Sequence, residues 1–222
     1  MKSAFLESVG FALALMTGIA GGVHAADGRL EAPRIDFAGA PATPDARIVA
    51  NWVAENADNQ RLPFVIVDKK NAQAFVFGAG GQLKGVTPVL LGLAVGDGGL
   101  TDMSGREVSS LRAAERTTPA GRFVAEPGHN LQGEEIVWVD YAAKIAIHRL
   151  RPAPQRERRA QRLASATVDD NRISLGCIVV PVAFYENVVR PVLGNSRSVV
   201  YVLPETRSLQ GMLGVLHAAS VN

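Results

Sequence analysis

Ile173-Ser174-Leu175-Gly176-Cys177-Ile178-Val179-Val180 contains the only cysteine in a chain of 222 residues. Its β-branched run reads as a buried strand entered through a Gly-Cys step, and the rest of the chain is read outward from it. A lone thiol cannot close an intrachain disulfide. Free cysteine is often a small buried hydrophobe, and Ile178, Val179 and Val180 would suit that role. In an oxidising compartment, however, an unpaired thiol is open to oxidation. A thiol kept there points to its reactivity.

The first residues predict such a compartment. Lys2 precedes an apolar stretch from Val9 to Ala20, and Val23-His24-Ala25 supplies a cleavage-site pattern. Residues 1–25 are therefore expected to be a secretory signal peptide, with export to the periplasm or cell envelope. The stretch is shorter than the ~20 apolar residues of a membrane span, and no later segment is long and apolar enough to provide one. Formal net charge is +2, which does not point to a nucleic-acid partner. Oligomeric state is not readable from the sequence. Aromatic residues make up only 6% while Val, Ile, Leu, Ala and Gly are plentiful, so one β-rich domain with a few helices is expected.

Residues 26–43 are rich in Ala, Pro and Gly and read as a flexible lead-in, part of an N-terminal region 26–61. Thr43 as cap and Pro44 at the first helical position predict a short helix through Asn59, with Ile48, Val49, Trp52 and Val53 at helical spacing. Phe64–Asp68 and Gln73–Phe77 predict a hairpin around Lys69–Asn71. Further strands are expected at Gly85–Val95, Glu135–Asp140, Lys144–His148 and Ser198–Leu203. Helices are expected over Pro181–Leu193 and Glu205–Ala219, and a polar loop over Gly96–Arg116. The main β-rich domain is expected over 62–204, followed by a C-terminal helical segment, 205–222.

A cysteine nucleophile acts as thiolate and needs a base within hydrogen-bond reach. A poised one would titrate well below ~8.5. His148 ends the apolar run Ile145-Ala146-Ile147-His148, where a strand would fix its ring and expose its edge. His129 and His217 read as surface residues. Gly176 lets backbone approach closely, and N–H groups near Gly176 and Cys177 are candidates to hold an oxyanion. Ser174 is a candidate donor to thiolate or substrate, or else a turn residue bonding its own backbone. Arg149 is a further candidate for substrate contact. No metal or organic cofactor is required by this chemistry.

These pieces resemble the L,D-transpeptidases, also called the YkuD-like catalytic domain. His148 and Ser174-Leu175-Gly176-Cys177-Ile178 match the family's signature, and Thr118-Pro119-Ala120-Gly121-Arg122-Phe123 is similar to its upstream Thr-Pro-x-Gly-x-Phe motif. The resemblance runs over roughly Leu62 to Leu203 and marks the chain as a divergent member. Leu175 replaces a second histidine, Arg149 a small residue, and Val179 an Asn or Arg. The resemblance implies a mixed β-sandwich with peripheral helices. It also implies that peptidoglycan stem peptides are acylated onto Cys177, with His148 as base, to form 3-3 crosslinks. A backbone carbonyl, that of Arg149 being the first candidate, would orient the His148 ring. Hydrolysis of the same thioester and a non-catalytic wall-binding role are the alternatives.

The segment from His148 to Ser174 is longer than is usual in that family. It carries Arg149, Arg151, Arg156, Arg158, Arg159 and Arg162, and Glu157 is the only acidic residue before Asp169. It reads either as a basic lid for anionic wall material or as a solvated surface helix that starts at Pro154.

Overall fold

Antiparallel pairing of β1 (Phe64–Asp68) with β2 (Gln73–Phe77) forms the predicted hairpin, in the register Phe64↔Phe77 to Asp68↔Gln73. In this computed structural model the described residues are 34–220, except 101, 102 and 104. The expected signal peptide, residues 1–25, lies outside them. Alternation along the hairpin splits its side chains between two cores. Val65, Val67, Ala74 and Val76 face one, and Phe64, Ile66, Phe75 and Phe77 face the other. A strand buried on both sides reads as a continuous apolar run, which explains why Phe64-Val65-Ile66-Val67 shows no alternation.

The main sheet has eight strands in the order β3-β2-β1-β10-β5-β6-β7-β9. Its remaining members are β3 (Leu83–Pro88), β5 (Gly121–His129), β6 (Glu135–Asp140), β7 (Ile145–Arg149), β9 (Ile178–Val180) and β10 (Ser198–Val202). The β1–β10 and β7–β9 pairs are parallel, so the sheet is mixed. Long β5 turns it into a sandwich. Its first half, from Gly121 to Ala125, pairs with β10 and its second, from Glu126 to His129, with β6. Inward residues of both halves, among them Val65, Val200, Val137, Ile147, Ile178 and Val180, make one core. The mainly β fold with marginal helices is the one expected.

The second core lies on the outer face of the hairpin half. There α1 (Pro44–Asn56) lays down Ala46, Val49, Ala50 and Val53, a stripe at helical spacing. Thr43 caps it, accepting from the Ala46 N–H at 3.2 Å, and its hydroxyl donates to Asp68 Oδ2 at 2.7 Å. Ile48, placed on the apolar face by sequence spacing, is 44% exposed. The helix stops at Ala57, in left-handed conformation (φ 50°), rather than at Asn59. The expected flexible lead-in is docked from Ile35 onward, because Phe37 fits edge-on between Phe75 and Phe77 at centroid distances of 5.3 and 5.4 Å. Fully burying a phenyl ring contributes roughly 1.5–3 kcal/mol toward the cost of ordering this segment.

The single strand expected over 85–95 is two. Beyond Pro88 the chain leaves β2, and β4 (Leu91–Gly92) pairs in parallel with β8 (Arg172–Ser174) in a two-stranded sheet. Leu90 and Val179 exchange backbone hydrogen bonds at 2.9 Å, tying this sheet to β9. The helix expected over 181–193 is present, with a wider-wound turn at Tyr185–Val189. The last helix begins at Leu209 rather than Glu205.

Candidate active site

Parallel pairing of β7 with β9 sets Ile147 opposite Ile178 and His148 opposite Val179. Ile147 and Ile178 both face the sandwich core, so period-two alternation turns His148 and Val179 to the opposite face. Continuing the register back by one residue places Cys177 beside Ala146, on that same face. The Ala146 N–H, two residues before His148, lies against the Cys177 sulfur. Sheet topology thus sets Cys177 at the entrance of the strand beside β7, although His148 lies 29 positions away in the chain.

His148 is 8% exposed, and its Nδ1–H donates to the Arg149 carbonyl oxygen at 2.8 Å. A carbonyl only accepts, so the proton of the neutral ring sits on Nδ1 and Nε2 is left as the base. Burial is the main cause that lowers the His148 pKa to about 4. The Arg151 cation adds to the shift, while the Arg149 carbonyl and Glu134 oppose it.

Cys177 Sγ donates to the Lys144 carbonyl oxygen at 3.6 Å, and the Ala146 backbone N–H lies against it. Burial pushes the thiol pKa up, and neither that N–H nor the Arg151 charge offsets it. This reverses the lowered value expected of a poised nucleophile. The sulfur loses more in desolvation than it gains from the Arg151 cation. At neutral pH the pair is therefore thiol and imidazole, both uncharged. Among the described residues the thiol's hydrogen bond goes to Lys144, not to His148.

The turn before Cys177 is closed by its own side chains. Ser174 Oγ donates to the Cys177 carbonyl at 2.6 Å and accepts from the Gly176 N–H at 3.1 Å. Ser174 therefore acts as a turn-former, and the Gly176 N–H is engaged. Gly176 adopts φ +130°, and a Cβ there would lie 2.7 Å from Ile145 Cδ1 and 2.9 Å from the Thr117 carbonyl oxygen. Only glycine fits. The Arg149 guanidinium pairs with Glu186 at 2.7 Å and Glu134 at 3.6 Å, and Arg151 pairs with Glu134 at 2.7 Å. Arg149 thus contributes a carbonyl to the ring and its side chain to an ion chain at the strand end.

Thr118 is a residue whose role here the sequence did not disclose. It is fully buried, its Oγ1 donates to the Gly176 carbonyl at 2.9 Å, and it accepts from the Gly92 N–H at 2.9 Å. Behind it the Lys69 ammonium donates to the Thr118 carbonyl at 2.9 Å, to the Gly96 carbonyl at 2.6 Å and to Asp97 at 2.9 Å. Thr118 stands in a motif that the sequence singled out, so the position was visible. Lys69 carried no signal, because a lysine after a strand ordinarily reads as a solvated turn residue. Arg122 of the same motif pairs with Asp58 at 2.6 Å.

The Arg-rich segment forms a short 3-10 turn at Gln155–Glu157 and then α2 (Arg159–Leu163). Helix therefore starts after Arg158, in left-handed conformation (φ 48°), rather than at Pro154. Leu163 is buried against Leu90 and Val179, which seats the segment on the sheet face that carries His148 and Cys177. A cavity of about 700 Å³ lies along it, walled by residues that include Leu150, Arg151, Arg158, Arg159 and Val182. Neither His148 nor Cys177 lines that cavity. No helix among the described residues is long and apolar enough to cross a membrane.

No protein-family model matches the chain. No curated protein matches it either. Solved structures that align with it include the catalytic domain of an Enterococcus faecium L,D-transpeptidase, at 18% identity and TM-score 0.36, covering 64% of this chain and 96% of that one. A Xylanimonas cellulosilytica L,D-transpeptidase aligns at 14% identity and TM-score 0.38, over 64% of this chain and 60% of that one. The helical cell shape determining protein Pgp2 of Campylobacter jejuni aligns at 15% identity and TM-score 0.43, over 70% of this chain and 55% of that one. The chain thus spans less than two thirds of the latter two. Alignments at this level are no ground for an activity, which the residues of the site have to supply.

Proposed function

We propose that this protein is a cysteine acyltransferase of the L,D-transpeptidase type, acting on peptidoglycan stem peptides outside the cytoplasm after loss of residues 1–25. One observation carries the reading. Cys177 directly precedes β9, whose parallel neighbour β7 carries His148, and the Arg149 carbonyl holds that ring with Nε2 free as base.

In the proposed reaction the thiol turns away from the Lys144 carbonyl and gives its proton to His148 Nε2. Sulfur then attacks the carbonyl carbon of the L-to-D bond of a stem. The Gly176 N–H is held by Ser174, so the amide best placed for the developing oxyanion is that of Cys177 itself. As the tetrahedral species collapses, the C–N bond breaks and the terminal D-residue leaves as an amine, taking the proton from His148. An amine of a second stem attacks the thioester and passes its proton back through His148. The new amide is a 3-3 crosslink, and the thiol is restored. An acyl-enzyme divides one difficult exchange into two easier ones. Water in place of the amine gives the hydrolytic form of the same reaction.

A second reading is favoured by one observation: burial raises the Cys177 thiol and its proton is already bonded to Lys144. On that reading the cysteine is inert and the chain only binds the wall. Intact mass after incubation with a carbapenem separates the two. The acyltransferase gives an adduct on the parent protein and none on Cys177→Ser. An unmodified parent would leave the inert reading standing. With stem peptides, a dimer formed only when an amine acceptor is supplied identifies transfer rather than hydrolysis.

A further inference from the structure

The cavity beside the candidate site has a composition of its own. Three arginines line it, Arg151, Arg158 and Arg159, and none of its lining residues is acidic. Two of these cations are already paired outside its wall, Arg151 with Glu134 at 2.7 Å and Arg159 with Glu157 at 2.6 Å. Arg158 is exposed, and no carboxylate among the described residues pairs with it. Its backbone sits in left-handed conformation between the 3-10 turn and α2, which fixes where the guanidinium departs from the chain. Apolar Leu150, Pro152 and Val182 also line it. At about 700 Å³ the space suits a ligand the size of a short peptide rather than a single ion.

The cavity is anchored to the reacting strands. Leu150 donates its N–H to the Val180 carbonyl at 2.8 Å, and Leu150 and Arg151 follow directly after β7. Leu163 holds the far side of the segment against Val179, the residue opposite His148. The cavity thus begins directly after β7, the strand that carries His148.

We propose that this cavity is a subsite for a free peptide carboxylate that carries a small apolar side chain, with Arg158 as its anion partner. The planar guanidinium offers two parallel N–H donors to a carboxylate, and the apolar lining accepts the adjoining side chain. The assignment rests on the proposed function, because it makes the carboxyl end of a stem peptide the ligand.

The test uses the Cys177→Ser protein, in which nothing turns over, and two synthetic tetrapeptides, L-Ala-γ-D-Glu-L-Lys-D-Ala with a free terminal carboxylate and its terminal amide. Calorimetry should show the acid binding about tenfold tighter than the amide. Adding Arg158→Gln should remove that preference. It should leave the melting temperature in place, because the guanidinium has no partner to lose. Equal affinity for acid and amide, no binding of either, or a preference that survives Arg158→Gln would overturn the subsite. A carbapenem adduct on the parent without the acid preference would sink the subsite alone. The preference without an adduct would sink the acyl-transfer reading and leave the subsite.

Discussion

His148 can take part in a reaction only through Nε2, because Nδ1 spends its proton on the Arg149 carbonyl. Its pKa, lowered mainly by burial to about 4, keeps it a competent base well below neutrality. The acid limb of the transfer rate is therefore expected near pH 4 rather than near the ordinary ~6.5 of histidine. The same shift has a stability side. A histidine whose folded pKa is depressed binds fewer protons folded than unfolded, so its contribution is complete above about pH 6.5. It is lost as pH falls from there through about 4, and His148→Gln should flatten that part of a stability–pH curve. Arg151 is felt by both reacting groups, lowering the imidazole and also lowering the thiol against the larger effect of burial. Arg151→Gln should consequently move both limbs of a thiol-alkylation or rate profile to higher pH. A variant that shifted only one limb would show that the two groups do not share a common field. That would remove the argument that they work as a pair.

At the scale of the element, the nucleophile turn depends on a residue from another part of the chain. Thr118 fills the gap between Gly176 and Gly92, giving one hydrogen bond and receiving one. Valine has the same shape and neither capacity, so Thr118→Val would leave a buried carbonyl and a buried N–H without partners. Each such loss costs about 1–3 kcal/mol, and a total of roughly 2–6 kcal/mol is expected by denaturant unfolding, with most of it restored by Thr118→Ser. The acylation rate should fall with valine and return with serine. A stability loss with an unaltered rate would make Thr118 a packing residue only. Strands and turns were legible here because period-two burial, glycine and proline act locally: the hairpin of Phe64–Asp68 and Gln73–Phe77 lies within its predicted bounds. The Ser174 turn was also legible, as one of two stated readings. The Thr118–Gly176 bond was not, since it joins residues 58 apart and no local pattern encodes such a distance. Docking of the lead-in was missed for a related reason. A single Phe37 in an Ala/Pro/Gly stretch fixes the chain only because Phe75 and Phe77 leave a space shaped for its edge.

Across the whole molecule, one buried ionic cluster joins parts of the chain that the β-sandwich alone would leave separate. Lys69, with no exposed surface, follows β1 and holds Asp97 at 2.9 Å, Glu205 at 3.3 Å and the Thr118 carbonyl at 2.9 Å. Arg172, at the start of β8, pairs with Glu205 and donates to the Lys69 carbonyl at 3.1 Å. The hairpin turn, the loop after β4, the strand before the nucleophile and the approach to the last helix therefore meet at one point. Burial would raise the Asp97 carboxyl. The Thr206 hydroxyl, the Glu205 N–H, the Lys69 ammonium and the Arg207 N–H outweigh it and hold the group well below the usual carboxylate range. A depressed carboxylate contributes stability that is present above its unfolded pKa of ~3.9 and is lost as pH falls below it. Lys69→Met would keep the apolar stem and delete the charge, leaving two buried carboxylates with less compensation and two carbonyls without a donor. Breaking a buried pair from one side typically costs 3–5 kcal/mol, and a loss of about that size is expected at pH 7. With the cation gone, the folded-state pKa of Asp97 rises toward its unfolded value. The deficit should therefore shrink as the carboxylates are protonated, and parent and variant curves should converge as pH falls below about 4. Two curves that stay parallel over that range would show that Lys69 acts through packing alone. The site would then owe its alignment to the sheet and not to charge.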